Sequence, residues 1–367
     1  MNDFCPIQGF DHLEFYVGNA RQAALFYSKC FGFTNTAYRG LETGSRETAS
    51  YVMEQGNIRF VLSTGLSPNH PISQSVLKHG DSVAIIALAV PDAVSAYKEA
   101  TRRGAIGAIA PTTEEDEHGI LRYSAIHAYG DTLIKFVDRS HYLGAFAPSF
   151  EPRYQTRSNG SGMGLKAIDH VVGNVELGAM ERWVKYFSDT MGFSLLVHFD
   201  DKAISTEYSA LMSKVIQNRT GTIKLPINEP ASGKRKSQIE EYLEYNNGPG
   251  VQHIALATDN IIKTVTQLKA SGVEFLRVPE TYYDDLEERV GKINEPIDKL
   301  AELGILVDRE PDGYLLQIFT QPVEDRPTLF FEVIERHGAQ GFGEGNFKSL
   351  FVAIEQEQAL RGNLVSV

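Results

Sequence analysis

Two stretches of the chain carry the same succession of apolar and polar positions. The first runs Gly9-Phe10-Asp11-His12-Leu13-Glu14-Phe15-Tyr16-Val17, continues through Ala24-Leu25-Phe26-Tyr27 and closes on Gly32-Phe33. The second runs Ala167-Ile168-Asp169-His170-Val171-Val172-Gly173-Asn174-Val175, continues through Trp183-Val184-Lys185-Tyr186-Phe187 and closes on Gly192-Phe193. Each reads as an apolar strand that follows Asp-His, then an amphipathic helix, then Gly-Phe. A second element also recurs. Ala84 to Val90, a helical stretch from Asp92 to Arg103 and Gly104-Ala105 resemble Gln252 to Thr258, Asn260 to Ala270 and Gly272-Val273. Glycine at the end of each helix suits a left-handed cap. β-like runs follow at Ile120 to His127 and Thr132 to Val137, and again at Tyr314 to Thr320 and Thr328 to Glu335. The pattern predicts an α+β chain of two domains, each built from paired βαβββ modules.

Pro148-Ser149-Phe150-Glu151-Pro152 and then Ser158-Asn159-Gly160-Ser161-Gly162 form a Pro-then-Gly/Ser stretch between the repeats. It places the linker near residues 150 to 164 and the domains at 1–152 and 153–367. The chain ends on a predicted helix that starts near Gly345-Asn346-Phe347 and shows one apolar face of Leu350, Phe351, Ala353 and Ile354. Such a helix packs on a sheet or covers a site.

Composition narrows the function. The 367 residues carry 35 Lys plus Arg against 47 Asp plus Glu, a formal charge of −12, which argues against a large nucleic-acid surface. Lys234-Arg235-Lys236 is a short basic cluster, read as a solvated loop over the pocket. No run of about 18 apolar residues suggests a membrane span, and the first residues lack the basic and apolar regions of a leader. Two cysteines, Cys5 and Cys30, cannot build a disulfide framework, which points to a reducing, cytoplasmic setting.

The duplication offers an internal control, because core positions should persist in both copies. His170 has a counterpart in His12, which is either a vestige or a satisfied core residue. His253 aligns with Ile85, and Glu332, in Thr328-Leu329-Phe330-Phe331-Glu332-Val333, aligns with Phe136, in Thr132-Leu133-Ile134-Lys135-Phe136-Val137. The second half thus places an imidazole and a carboxylate where the first places apolar side chains. A Glu in so apolar a run is expensive to bury without a cation. Two His and one Glu on strands of one half are the ligand set of a facial triad for non-haem iron(II). The other seven histidines (His70, His79, His118, His127, His141, His198 and His337) read as loop or structural residues with no second ligand at useful spacing.

At these residues the chain resembles the 4-hydroxyphenylpyruvate dioxygenase family of the vicinal-oxygen-chelate group. Further segments carry the likeness in order: Leu225-Pro226-Ile227-Asn228-Glu229-Pro230, Lys236-Ser237-Gln238-Ile239, Gly250-Val251-Gln252-His253, Leu315-Leu316-Gln317-Ile318-Phe319, Asp325-Arg326-Pro327-Thr328 and Gly341-Phe342-Gly343-Glu344-Gly345-Asn346-Phe347. The resemblance implies a glyoxalase-like open barrel in each domain, with the C-terminal helix over the active site. It implies one Fe(II) per subunit on His170, His253 and Glu332. It also implies Ser209, Asn228, Gln252 and Gln317 as the polar groups at the reaction, with Pro226, Gln238, Phe319, Phe330, Phe347 and Phe351 holding substrate. The implied activity takes 4-hydroxyphenylpyruvate and O2 to homogentisate and CO2 in tyrosine and phenylalanine catabolism. The substrate's own oxo acid supplies two electrons, so no 2-oxoglutarate is needed. The expected partners are this aromatic 2-oxo acid and O2, with no nucleic acid or membrane, in a homo-oligomer (dimer or tetramer). Three rivals remain: 4-hydroxymandelate synthase on the same substrate, a non-catalytic binder of the same fold, and an extradiol catechol dioxygenase. The last would need a His or Tyr acid-base pair that the sequence does not offer.

Overall fold

A computed structural model describes residues 3–153, 162–199, 210–231 and 233–364. The first half contains β1 (Gly9–Tyr16), α1 (Ala20–Phe31), β2 (Thr34–Arg39), β3 (Thr48–Gln55), β4 (Ile58–Gly65), α2 (Pro71–His79), β5 (Ser82–Ala89), α3 (Ala93–Arg102), β6 (Gly107–Asp116), β7 (Gly119–His127), β8 (Leu133–Tyr142) and the short β9 (Glu151–Pro152). The second contains β10 (Leu165–Asn174), α4 (Met180–Met191), β11 (Ser194–Phe199), β12 (Ala210–Gln217), β13 (Lys224–Ala231), α5 (Gln238–Tyr245), β14 (Gly250–Thr258) and α6 (Ile261–Ala270). It continues with α7 (Leu286–Val290), α8 (Ile297–Leu303), β15 (Leu306–Glu310), β16 (Gly313–Phe319), β17 (Phe330–His337) and α9 (Phe347–Leu360).

Among the described residues each half forms one mixed sheet. The orders are β6-β7-β8-β5-β1-β4-β3-β2-β9 and β15-β16-β17-β14-β10-β13-β12-β11, so the two central strands and their neighbours correspond pair by pair. Local chemistry sets the repeated helices. Asn19 and Asn260 accept backbone N–H groups at the starts of α1 and α6, as Asp92 does for α3. Gly32 and Gly192 then end α1 and α4 in the left-handed conformation that side chains disfavour.

The two sheets share one apolar core, in which the Phe331 ring of β17 lies 5.0 Å from Phe31 and 6.0 Å from Tyr27 of α1. The opposite faces carry smaller clusters, one around Val61, Ile85 and Phe146 and the other around Leu211, Val215 and Phe351. Each sheet therefore curls around its own interior, and the second interior holds the proposed triad.

Four sequence readings need correction. The register pairs Ala255 with Glu332 and the equivalent Ala87 with Lys135. The counterpart of Glu332 is therefore Lys135, not Phe136. A one-residue slip moves a strand's side chains to the other face, and Phe136 belongs to the core between the halves. His79 is no loop residue: it is buried in α2, where Nδ1 meets the Asn246 carbonyl of the other half and Nε2 lies 2.8 Å from Asp131. Finally, the fold brings ligand-type neighbours to His337, with Glu335 at 2.9 Å and Glu295 at 3.2 Å. Both Glu335 oxygens are engaged, one by His337 and one by the Ile261 N–H at the start of α6, while Glu295 keeps one buried oxygen without a hydrogen-bond partner. Arg235 of the basic cluster donates to the Leu364 carbonyl and Lys236 pairs with Glu244, so the cluster anchors α5 and the tail and does not line the pocket.

Candidate metal centre

A β-bulge positions the first candidate ligand, His170. The β10–β14 register shifts between Ile168 and His170, leaving Asp169 as the extra residue. Two residues then oppose one, and a bulge re-aims its side chains. The outcome is that neighbours Asp169 and His170 meet: His170 Nδ1 lies 2.7 Å from Asp169 Oδ1. Arg336, four residues after Glu332 on β17, donates to both Asp169 oxygens at 2.8 Å and to the Ala339 and Gly341 carbonyls. The second candidate ligand, His253, is held differently. His253 Nδ1 lies 3.0 Å from Gln252 Oε1, and the Gln252 amide donates onward to Gln238 Oε1 at 3.4 Å. The Phe330 ring stacks on the imidazole, 4.7 Å between centroids.

With both Nδ1–H groups donating, each Nε2 lone pair is directed inward. Glu332 Oε2 stands 3.2 Å from His170 Nε2 and 3.6 Å from His253 Nε2. All three residues are buried, and their ligand atoms lie within 4.8 Å of one another. Burial alone would raise the Glu332 carboxyl, but the two imidazoles outweigh it and hold the group below the ordinary carboxylate range. Burial would depress His170, yet Glu332 and Asp169 together raise it. For His253 burial prevails over Glu332 and the shift is downward. Two inward imidazole nitrogens and an ionised carboxylate, with open space before them, suit a divalent first-row metal with sites left for other ligands.

That space is a pocket of about 600 Å³. Pro226, Asn228, Gln238, Gln252, Gln317, Phe319, Phe330, Phe347 and Phe351, all expected from the sequence, line it with His170, His253 and Glu332. Ser209 lies outside the described residues. Sequence reading missed Ser213, Phe342, Leu350 and the apolar Val172, Phe199, Leu211 and Val215. Alternation along β12 was the available signal, since 211, 213 and 215 share one face. Phe342 packs edge-on against His170 at 5.0 Å. Phe347 and Phe351 enter the pocket from α9, and Arg361 with Asn363 ties the end of that helix to Glu241 on α5.

Gln317 is 1% exposed and its Oε1 has no protein partner, so its acceptor is left for a ligand. Gly343 cradles it, because a Cβ there would stand 2.0 Å from that oxygen and φ is +76°. Gly343→Ala is therefore expected to cost about 1–2 kcal/mol in backbone strain and to displace Gln317. Steady-state kinetics should show kcat/KM falling further than the melting temperature suggests.

The sheets and this site together define a glyoxalase-type protein with a two-histidine, one-carboxylate centre. Residues 167–318 match the glyoxalase/bleomycin resistance protein/dioxygenase superfamily, and residues 2–146 match the N-terminal region of hydroxyphenylpyruvate dioxygenase. The chain is 48% identical to 4-hydroxyphenylpyruvate dioxygenase of Dictyostelium discoideum, covering 98% of this chain and 100% of that one. It is 48% identical to the enzyme of Danio rerio, covering 97% and 92%. A solved variant of 4-hydroxymandelate synthase from Streptomyces coelicolor superposes with a TM-score of 0.86 at 31% identity over 96% of this chain and 99% of that one. The chain belongs to the 4-hydroxyphenylpyruvate dioxygenase family.

Proposed function

We propose that this chain oxidises 4-hydroxyphenylpyruvate with O2 to homogentisate and CO2, using one Fe(II) held by His170, His253 and Glu332. The observation that carries the reading is the convergence of both Nε2 atoms on Glu332 Oε2 at the head of an amide- and Phe-lined pocket. Bound there, Fe(II) would supply the chelation of the 2-oxo acid and the activation of O2. The protein's own part is placement. Asn228, Gln238, Gln252 and Gln317 offer neutral donors and acceptors to the phenol and oxo acid, where a cationic side chain would compete with the metal for the carboxylate. Phe319 and Phe330 confine the ring, and Phe347 and Phe351 exclude water from the α9 side. Asp169 and Gln252 keep the imidazole protons on Nδ1. In this reading residues 153–367 carry the metal and residues 1–152 do not.

No helix among the described residues is long and apolar enough to cross a membrane. The unpaired Cys5 and Cys30 support a reducing, cytoplasmic setting. The reading extends to a homo-oligomer, dimer or tetramer, which sedimentation equilibrium measures.

Anaerobic loading with Fe(II), addition of 4-hydroxyphenylpyruvate and air, and chromatography of the products test the activity. Homogentisate is expected, with one O2 consumed per CO2 released. 4-Hydroxymandelate would keep the site and move the reaction to the synthase type, and no O2 uptake would leave a binder.

Iron affinity should depend on pH. A ligand must bind metal unprotonated, and Glu332 and Asp169 raise His170 above its ordinary value. Protons therefore compete for His170 as pH falls through the histidine range. Iron titration should show affinity dropping toward acid, with proton release on binding.

A further inference from the structure

The interior of the first sheet is neither empty of chemistry nor a blank copy of the metal centre. It holds a cavity of about 590 Å³ lined by His12, Glu14, Arg39, Glu114, Tyr123 and Lys135, with Phe146 and Phe150 among its apolar walls. Its frame repeats that of the metal centre. The β1–β5 register shifts between Phe10 and His12, so Asp11 is again the bulged residue beside a histidine. Asp11 Oδ1 takes His12 Nδ1, and Arg139, four residues after Lys135, donates to both Asp11 oxygens at 2.7 and 3.0 Å. Phe146 packs edge-on against His12 at 5.2 Å, as Phe342 does against His170.

The charge at the centre is reversed. Lys135 stands at the register position of Glu332, and Ile85 at that of His253. Burial lowers Lys135, with the Glu14 and Asp11 carboxylates opposing that shift, and an ammonium beside a single imidazole repels a metal ion. His12 is 1% exposed, and its Nε2 has no protein partner. Burial lowers His12 and keeps the ring neutral, so with Nδ1–H given to Asp11 the free Nε2 is an acceptor awaiting a donor. Glu14 and Glu114 add two carboxylates, one receiving Ser63 Oγ at 2.7 Å and the other Tyr123 Oη at 2.6 Å. Lys135 Nζ lies over the Tyr123 ring at 4.4 Å, and the Arg39 guanidinium over Phe150 at 4.8 Å, with a buried, unpartnered Nε. Asp11 and Arg139 cancel each other. The remaining lining is two carboxylates against two cations, a balance that opposes a plain anion and a plain cation alike.

We propose that this cavity binds a small zwitterion of the α-amino-acid class with an apolar side chain. Its carboxylate would face Lys135 and Arg39, its ammonium Glu14, Glu114 and His12 Nε2, and its side chain the Phe146 and Phe150 walls. The site is separate from the metal centre and does not depend on the reaction assigned there.

Calorimetric titration of the full-length, iron-loaded protein with L-phenylalanine, L-tyrosine and L-leucine tests it. At least one should bind in the millimolar range or tighter, and His253→Ala, which disables the metal centre, should bind it equally well. Lys135→Met should weaken binding about tenfold or more while leaving turnover of 4-hydroxyphenylpyruvate unchanged. Should Lys135→Met misfold by near-UV circular dichroism, Glu14→Gln serves the same comparison. Binding of none of the three amino acids, binding lost with His253 and kept with Lys135→Met, or equal binding of 3-phenylpropionate, which lacks the ammonium, would each overturn the proposal.

Discussion

Glu332→Gln is expected to lower iron affinity at least about a hundredfold, since even residues that only orient ligands carry about ten- to a hundredfold, and to take dioxygenase turnover below detection. The amide has the carboxylate's shape but no charge to set against the metal, and its NH2 turns a donor toward the two Nε2 atoms. The fold should survive, because an uncharged group in this apolar run removes a burial cost, and among the described residues the ion pairs of Glu332 are those to His170 and His253. Iron content by absorption spectrometry, beside the far-UV spectrum, separates the two effects. Full iron and full turnover in Glu332→Gln would remove the carboxylate from the metal centre.

Asp169→Asn should strike both stability and the metal. Asp169 carries the Arg336 guanidinium and sets the His170 proton at once. Removing one member of a buried ion pair costs about 3–5 kcal/mol, and the lower part of that range is expected because the Arg336 side chain keeps 17% exposure. The loss should depend on pH with a definite sign. Burial would raise the Asp169 carboxyl, but Arg336 and His170 hold it far below the ordinary range. Its contribution is therefore complete above the unfolded carboxylate value and disappears as pH falls through and below that value. Urea unfolding should show wild type and Asp169→Asn separated at neutral pH and converging in acid. Iron affinity should fall about ten- to a hundredfold, as His170 loses the acceptor that fixes its tautomer. An unchanged affinity would mean that the pair is structural only.

The candidate site was legible because the chain contains its own comparison. The Asp-His repeat marked His170, and the apolar Ile85 opposite His253 marked a position where the second half departs from plain core. Glu332 was found through a register that was wrong by one residue, and it survived because a buried Glu among phenylalanines is conspicuous in any register. Lys135 was lost to the same slip, and with it the charge reversal in the first half. The helical inserts α2, α5, α7 and α8 and the bridge made by His79 left no periodic signal, since their partners lie far away in sequence. Arg336 was invisible for a similar reason: its carboxylate, Asp169, sits on another strand of the sheet. Side chains that act on a ligand's outer nitrogen are defined by tertiary contact, and spacing does not encode them.

The central claim is that one metal ion sits among His170, His253 and Glu332. Anomalous diffraction at the iron edge, from crystals of the Fe(II)-loaded full-length protein, tests it most directly. The account expects one strong peak per chain, bounded by the two Nε2 atoms and the Glu332 carboxylate. A peak at Glu295, Glu335 and His337 instead, or full activity with no peak at the triad, would contradict it.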